Sequence, residues 1–273
     1  MIEINNVSYK YKTGIEVIKN INIKINDGEF VAIIGKNGSG KSTISKLITG
    51  LEKPTKGDVI INGINTKDKK RSLELRKTIG IVFQNPENQI VFNKVYDDIE
   101  FGMKNLSSNI ENIESRIELA LRKVGMYEYI NKDTFELSLG QKQRIAIAGI
   151  LALDTKIIVL DEPTTMLDPE GKKAIYEIVK SLNKQGYTVI YITNVIDEIL
   201  LADRIIMLKQ GNIENEFNKN DILQNIDILR SLNMEVPIII QILEKLKEKS
   251  IDIDLKEFTI NELVQKIVDF KGE

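Results

Sequence analysis

The sequence predicts an α/β fold with a largely parallel sheet, and three observations carry that reading. Short apolar runs recur along the chain: Phe30 to Ile34, Ile79 to Phe83, Ile157 to Leu160, Thr188 to Ile192 and Arg204 to Leu208. Stretches of helical character alternate with them, as the strand–helix–strand units of a parallel sheet require. The first run leads directly into Gly35-Lys36-Asn37-Gly38-Ser39-Gly40-Lys41-Ser42-Thr43, which fits the pattern G-x-x-x-x-G-K-[ST] without a gap. A strand before and an unbroken helical run after are the context that phosphate-binding turn needs.

Each element follows in order. Residues 1 to 30 read as β structure, with Asn26-Asp27-Gly28 turning the chain into the strand that feeds the glycine-rich segment. Val59-Ile60-Ile61 before Asn62-Gly63 predicts a hairpin. Residues 87–140 form a helical insertion, with Ile110 to Val124 its clearest amphipathic stretch. A helix from Gly171 to Lys184 separates two of the later strands. Beyond Gly211 the character changes. Ile222, Ile226 and Leu229 share a helical face, Pro237 opens a helix reaching Lys249, and Thr259 to Glu262 is a capping box ahead of Leu263, Lys266 and Ile267. The expected division is residues 1–215 and a small helical C-terminal domain, 216–273.

Composition narrows the chemistry. The 273 residues are 42% hydrophobic and 29% charged, which suits a folded chain of one large domain with a smaller one. A net charge of −2 argues against a general nucleic-acid binder. Cysteine and histidine are both absent, so disulfides, thiolate metal sites and histidine catalysis are excluded. No apolar run is long enough to span a bilayer, and Met1 to Asn5 lacks a signal-peptide pattern. The expectation is a cytosolic chain, or one held at a membrane through a partner.

The glycines of the Gly35–Thr43 segment let backbone N–H groups close around phosphate oxygens, and the helix N-terminus adds partial positive charge. Lys41 is expected to reach the β- and γ-phosphates and the Ser42 hydroxyl to ligate Mg²⁺. Leu160-Asp161-Glu162-Pro163 ends an apolar strand, where ligands bind in open α/β sheets. Alone, those two acids read as solvated loop charges. With the phosphate loop upstream, Asp161 reads as a Mg²⁺ holder and Glu162 as a base for water. Gln84, at the end of another strand, is either a polar turn residue or a Mg²⁺ ligand that senses the γ-phosphate. Ser138 is either a plain helix cap or part of a second anion site at a helix N-terminus.

Together, and in this order, the motifs resemble the ATP-binding cassette ATPases over residues 1 to 215. The resemblance implies a RecA-like P-loop NTPase core with an antiparallel β subdomain. It makes Gly35 to Thr43 the Walker A motif, Gln84 the Q-loop glutamine, Asp161 the Walker B aspartate and Glu162 the catalytic glutamate. It also makes Tyr11 the aromatic that stacks on adenine, and Met166-Leu167-Asp168 the D-loop. Leu137 to Gln141 matches the LSGGQ signature, contributing Ser138, Gly140 and Gln141. ATP and Mg²⁺ are the implied ligands, the metal held by Ser42, Gln84 and Asp161. Phe83 to Gln89, Asp97 to Gly102, Ala146 to Ala152 and Pro163 to Pro169 look like the energy-coupling factor importers, as does the C-terminal pattern Leu232 to Leu246 with Val236-Pro237 inside. Asn88 looks like the first of that family's two ATPase paralogues. The resemblance implies a second ATPase subunit, paralogue or self. It also implies an integral membrane scaffold and substrate-binding membrane subunits for vitamins or metal ions, all at the cytoplasmic face of the cell membrane. No nucleic acid is implied.

Two positions depart from that family. Asn194 stands where the switch histidine is expected, and Leu139 where the signature has its first glycine. An asparagine amide can donate to a γ-phosphate oxygen but never carries charge. Leucine disfavours positive φ and adds bulk near phosphate. Retained ATP binding with slowed hydrolysis is the expectation. Two other readings stay open: an ATP-binding partner that leaves turnover to a paralogue, and a soluble cassette acting on DNA or ribosomes. Ile90-Val91-Phe92 reads either as helical-subdomain core or as a groove for a membrane-subunit helix.

Overall fold

The computed structural model describes residues 1–106, 111–231, 236–255 and 258–271. Ile110, where an amphipathic stretch is expected to start, and Leu232, where the C-terminal family-like pattern starts, lie outside the described residues.

The chain begins with β1 (Ile2–Lys10), β2 (Glu16–Ile25) and β3 (Phe30–Gly35), then α1 (Lys41–Ile48). The hairpin strands β4 (Lys56–Ile61) and β5 (Ile64–Asn65) follow, joined through Asn62 at φ 47° and Gly63 at φ 76°. Two consecutive left-handed residues are what the expected tight hairpin turn demands. Next come α2 (Ser72–Thr78) and β6 (Ile79–Val82), and then the insertion with α3 (Val95–Leu106), α4 (Ile113–Lys123) and α5 (Leu139–Ala152). The core resumes with β7 (Ile157–Asp161), α6 (Pro169–Lys184), β8 (Thr188–Thr193), β9 (Arg204–Lys209) and β10 (Asn212–Asn218). It ends with α7 (Ile226–Ser231), α8 (Ile238–Glu248) and α9 (Ile260–Lys271).

These strands form two sheets. One is antiparallel, in the order β2-β1-β4-β5. The other has six strands in the order β10-β9-β3-β8-β7-β6, parallel except for the β9–β10 edge. Its central strands β3, β7 and β8 are buried at every position because both faces are covered. Along β3, Phe30, Ala32 and Ile34 face one core, while Val31 and Ile33 face another. The same alternation runs through Ile158 and Leu160 against Ile157 and Val159, and through Val189 and Tyr191 against Ile190 and Ile192. The first core holds α5, α6, the insertion and the C-terminal helices. The second holds α1 and the antiparallel sheet. The sheet is thus a wall between two apolar layers, and the loops at its carboxyl ends are left to do chemistry.

The α/β architecture agrees with the sequence in its strands and helices. Ile222, Ile226 and Leu229 are all buried, and join the same core as Phe30 and Tyr191. One strand escapes sequence reading. β10 is Asn-Ile-Glu-Asn-Glu-Phe-Asn, an edge strand whose Phe217 alone is buried. Nothing in that composition favours a strand until β9 supplies the pairing. The stretch around 127–136 also forms short 3-10 turns, Tyr127–Tyr129 and Thr134–Glu136, rather than continuous helix.

The sheet and α5 touch closely at Gly80, where a Cβ would fall 2.4 Å from Ile150 Cγ2. Gly80→Ala is therefore expected to cost about 1–3 kcal/mol by overpacking, read as a lower urea midpoint at unchanged m.

The core also holds neutral phenols. Burial, helped by Glu52, pushes Tyr9 up to about 12. Burial and then the Glu198 charge push Tyr176 and Tyr191 higher than an ordinary phenol. The unfolded chain loses these protons near the ordinary value of about 10, while the folded chain keeps them to higher pH. Stability is then complete below about pH 10 and falls as pH rises through the folded values. Denaturant titrations across that window are expected to show the decline, and to show a shallower one for Tyr191→Phe.

Candidate active site

The site is assembled at the carboxyl ends of β3, β6, β7 and β8. After β3 the chain turns through Gly35 to Gly40 before α1 begins at Lys41. Gly40, at φ 108°, sits so close to the β2 strand that a Cβ would fall 2.6 Å from Ile18 Cδ1. Only glycine meets both conditions. The loop is tied from behind, Gly211 N–H donating to the Ser39 carbonyl at 3.0 Å. At the start of α1 the Lys41 and Ser42 N–H groups precede the first intrahelical bonds, which Thr43 and Ile44 make to the Gly40 carbonyl, so this helix start suits an anion.

Lys41 is nearly buried. Its ammonium donates to the Gly35 carbonyl at 2.9 Å and pairs with Glu162 Oε1 at 3.3 Å. Glu162 is the first residue after β7 and has φ 50°, a left-handed backbone costing an ordinary side chain roughly 1–2 kcal/mol. Its N–H is fixed to the Ile192 carbonyl of β8 at 2.8 Å. The geometry holds the carboxylate over the phosphate loop at the expense of backbone comfort, a pattern found at functional sites.

Asp161 ends β7. Its Oδ1 accepts from Ser42 at 3.1 Å and its Oδ2 from Ser45 at 2.8 Å. Burial raises its pKa above the ordinary aspartate value. Those two hydroxyls pull it back, the neighbouring Glu162 charge adds to the rise and Lys41 opposes it. Ser45 is a partner that sequence reading missed. Its signal was a serine three residues after Ser42, on the face of α1 turned to the sheet.

Tyr11 lies in the β1–β2 loop. Its hydroxyl is 3.0 Å from Thr43 Oγ1, and its ring stands edge-on to Tyr9 at 4.9 Å. Tyr11, Val17, Asn37, Gly38, Gly40, Lys41, Ser42, Thr43, Gln84 and Glu162 line one open cleft of about 510 Å³, within the range of small-ligand sites. The strand end that leads into Gln84 is held by two glutamines to which the sequence reading gave no role. Gln89 accepts from Phe83 N–H at 3.1 Å and donates to the Ile81 carbonyl, while buried Gln143 of α5 donates to the Phe83 carbonyl at 3.0 Å. A polar residue on the buried side of an otherwise apolar helix was the available clue for Gln143.

Lys36 and Ser39 lie on the far side of the loop, with Lys209 and Gln210, around a smaller hollow. Asn194 follows β8, its amide nitrogen 3.5 Å from Asn37 Oδ1. Ser138, Gly140 and Gln141 open α5, where Ser138 and Gln141 form a reciprocal capping box. They line no part of the Tyr11–Glu162 cleft. Leu139 corrects one expectation: its φ is not positive, because it starts a regular helix, and its side chain packs on the core. Of the Ile90–Phe92 segment, Ile90 packs on the core while Val91 is 69% exposed and Phe92 39% exposed.

Comparison with known proteins places this geometry. Residues 18–165 match the ABC transporter family. An energy-coupling factor transporter ATP-binding protein, EcfA1 of Caldanaerobacter subterraneus subsp. tengcongensis, is 42% identical over 272 residues, 98% of each chain. The structure of cbiO1 from Clostridium perfringens, part of the ABC transporter complex cbiONQ, superposes with a TM-score of 0.76 at 34% identity, over 89% of this chain and 98% of that one. The dimeric post-hydrolysis cassette MJ0796, bound to ADP and Pi, superposes with a TM-score of 0.72 at 36% identity, over 80% of this chain and 98% of that one. Motif match, full-length relative and shared fold converge on one assignment: the chain belongs to the ABC transporter ATPases and, among them, to the energy-coupling factor transporter ATP-binding proteins.

Proposed function

We propose that this chain binds ATP in the cleft between Tyr11 and Glu162 and hydrolyses it as half of a two-subunit ATPase driving an energy-coupling factor importer. The observation that carries this reading is a separation within the chain. Walker A, Gln84 and Glu162 line one cleft, while Ser138, Gly140 and Gln141 lie at the start of α5 and line none of it. Each half therefore needs a complement, and the complementary signature comes from a second ATPase subunit. The MJ0796 cassette is dimeric with ADP and Pi bound, which supports a paired arrangement here.

The chemistry follows from the side chains. The adenine stacks on Tyr11 and the phosphates occupy the loop at the start of α1. Lys41, now paired with Glu162, turns to the β- and γ-phosphates, which releases the Glu162 carboxylate to accept a proton from water. The water oxygen bonds to the γ-phosphorus, the bond to the β-phosphate oxygen breaks, and ADP and phosphate leave. The Ser42 hydroxyl, Gln84 amide and Asp161 carboxylate are an all-oxygen donor set of the kind that suits Mg²⁺ shared with phosphates and water. When bound, that ion neutralises charge on the phosphates.

Exposed Val91 and Phe101 line a hollow of about 270 Å³ with Ile99, Ala146 and Ile150. Phe92 packs against Phe101 with the rings tilted at 47° and their centroids 4.8 Å apart. This apolar surface between α3 and α5 suits a helix of the integral membrane scaffold. Among the described residues no helix is long and apolar enough to cross a membrane. In the importer reading, attachment runs through partner subunits at the cytoplasmic face.

Asn194 lowers turnover in the site built on this chain's own loop, and Leu139 does so in the partner's site. Losing one well-placed phosphate contact typically costs ~10²–10³ in rate, roughly 2.7–4 kcal/mol, and the Asn194 amide retains part of it. In steady-state ATPase assays of the reconstituted complex, Asn194→His and Leu139→Gly are each expected to raise kcat. Unchanged turnover in both variants contradicts the assignment of a defect to either position.

A further inference from the structure

Beside the site lies a buried carboxylate with no role in the chemistry just described. Glu198 belongs to the 3-10 turn Ile196–Leu201 that follows Asn194, and is 1% exposed. Among the described residues its partners are hydroxyls and no cation. Its Oε1 accepts from Thr164, two residues beyond Glu162, and from Tyr176 of α6 at 2.8 Å. Its Oε2 accepts from Thr193, the residue before Asn194. Thr193 Oγ1 in turn accepts from Val195 N–H at 2.9 Å, so the Asn194 backbone is bracketed on both sides. The Glu162 N–H bond to Ile192 closes the ring from β7 back to β8.

A carboxylate taken out of water is costly unless its acceptor sites are filled. Here three hydroxyls from three separate segments fill them. They belong to the loop after the catalytic glutamate, the strand end carrying the switch residue, and the helix whose N-cap Asp168 accepts from Gly171 N–H at 2.7 Å. The core needs no such group, since an apolar side chain would fill the space without the desolvation cost.

We propose that Glu198 is a positioning residue: it locks the Glu162–Thr164 loop to the Thr193–Asn194 strand end, so that base and switch amide reach the γ-phosphate as one unit. This rests on the switch role given to Asn194 above. Misplacing a catalytic group by about 1 Å can cost on the order of 10²-fold in rate.

The test is a double-mutant cycle in the assembled transporter, measuring kcat, KM and ATP binding. Glu198→Ala is expected to lower kcat at least tenfold with ATP affinity within about threefold. Glu198→Gln keeps the shape and can accept from two hydroxyls while donating to Thr193, so it is expected to restore most of the rate. In an Asn194→Ala background, Glu198→Ala is expected to add little, since coupled groups are non-additive. Thr193→Val replaces Glu198→Ala in the cycle if that variant fails to fold. Equal rate losses in both backgrounds, or a rate loss explained wholly by a lower folded fraction, overturn the proposal. If Asn194→Ala alone leaves kcat unchanged, the switch role fails and this inference with it, whereas additive losses overturn the inference alone.

Discussion

The ion pair between Lys41 and Glu162 is the interaction on which the rest of the molecule depends. Both groups are largely removed from water, and a buried charge without a partner is strongly destabilising. Two strands exist to bring them together. β3 delivers the loop that leads to Lys41, and β7 delivers Glu162 in a left-handed backbone pinned to β8. Between β3 and β7 lies β8 alone, so these carboxyl ends are near neighbours in one parallel sheet. The two apolar layers on either face make that sheet rigid. In the proposed reaction an arriving triphosphate would compete for Lys41 and so convert a structural counter-charge into a base for water.

The same logic explains why the site is incomplete within one chain. The α5 N-terminus is a second anion-seeking element, capped by Ser138 and Gln141, yet it opens away from the cleft. Lys142, one residue beyond that cap, pairs with Glu87 at 2.7 Å, and Gln143 bonds the Phe83 carbonyl. These two contacts tie the start of the signature helix to the chain on either side of Gln84.

Much of this was legible in the sequence because local chemistry dictated it. The Gly35–Thr43 loop, the Asn62-Gly63 turn and the apolar strands each state their conformation in their own residues. Asp161 and Glu162 were readable once a phosphate loop stood upstream. What escaped depended on long-range pairing. β10 has a polar, strand-averse composition and exists because β9 offers an edge. Gln89 and Gln143 look like surface amides until the backbone around Phe83 approaches them. Glu198 reads as one more acid on a charged turn, and only the meeting of Thr164, Tyr176 and Thr193 marks it. The positive-φ objection to Leu139 failed because the Ser138 cap puts Leu139 at the first helical position, where φ is ordinary.

In the proposed function this chain's own cleft hydrolyses ATP, with Glu162 as the base released by Lys41. Glu162→Gln tests it most directly in the reconstituted transporter, with transport and phosphate release measured against ATP binding. The account predicts ATP binding at near-native affinity, phosphate release from this site lowered by about 10²-fold or more, and transport reduced with it. Transport that continues undiminished alongside the normal partner would contradict the claim and leave this cleft a place where ATP binds without being spent.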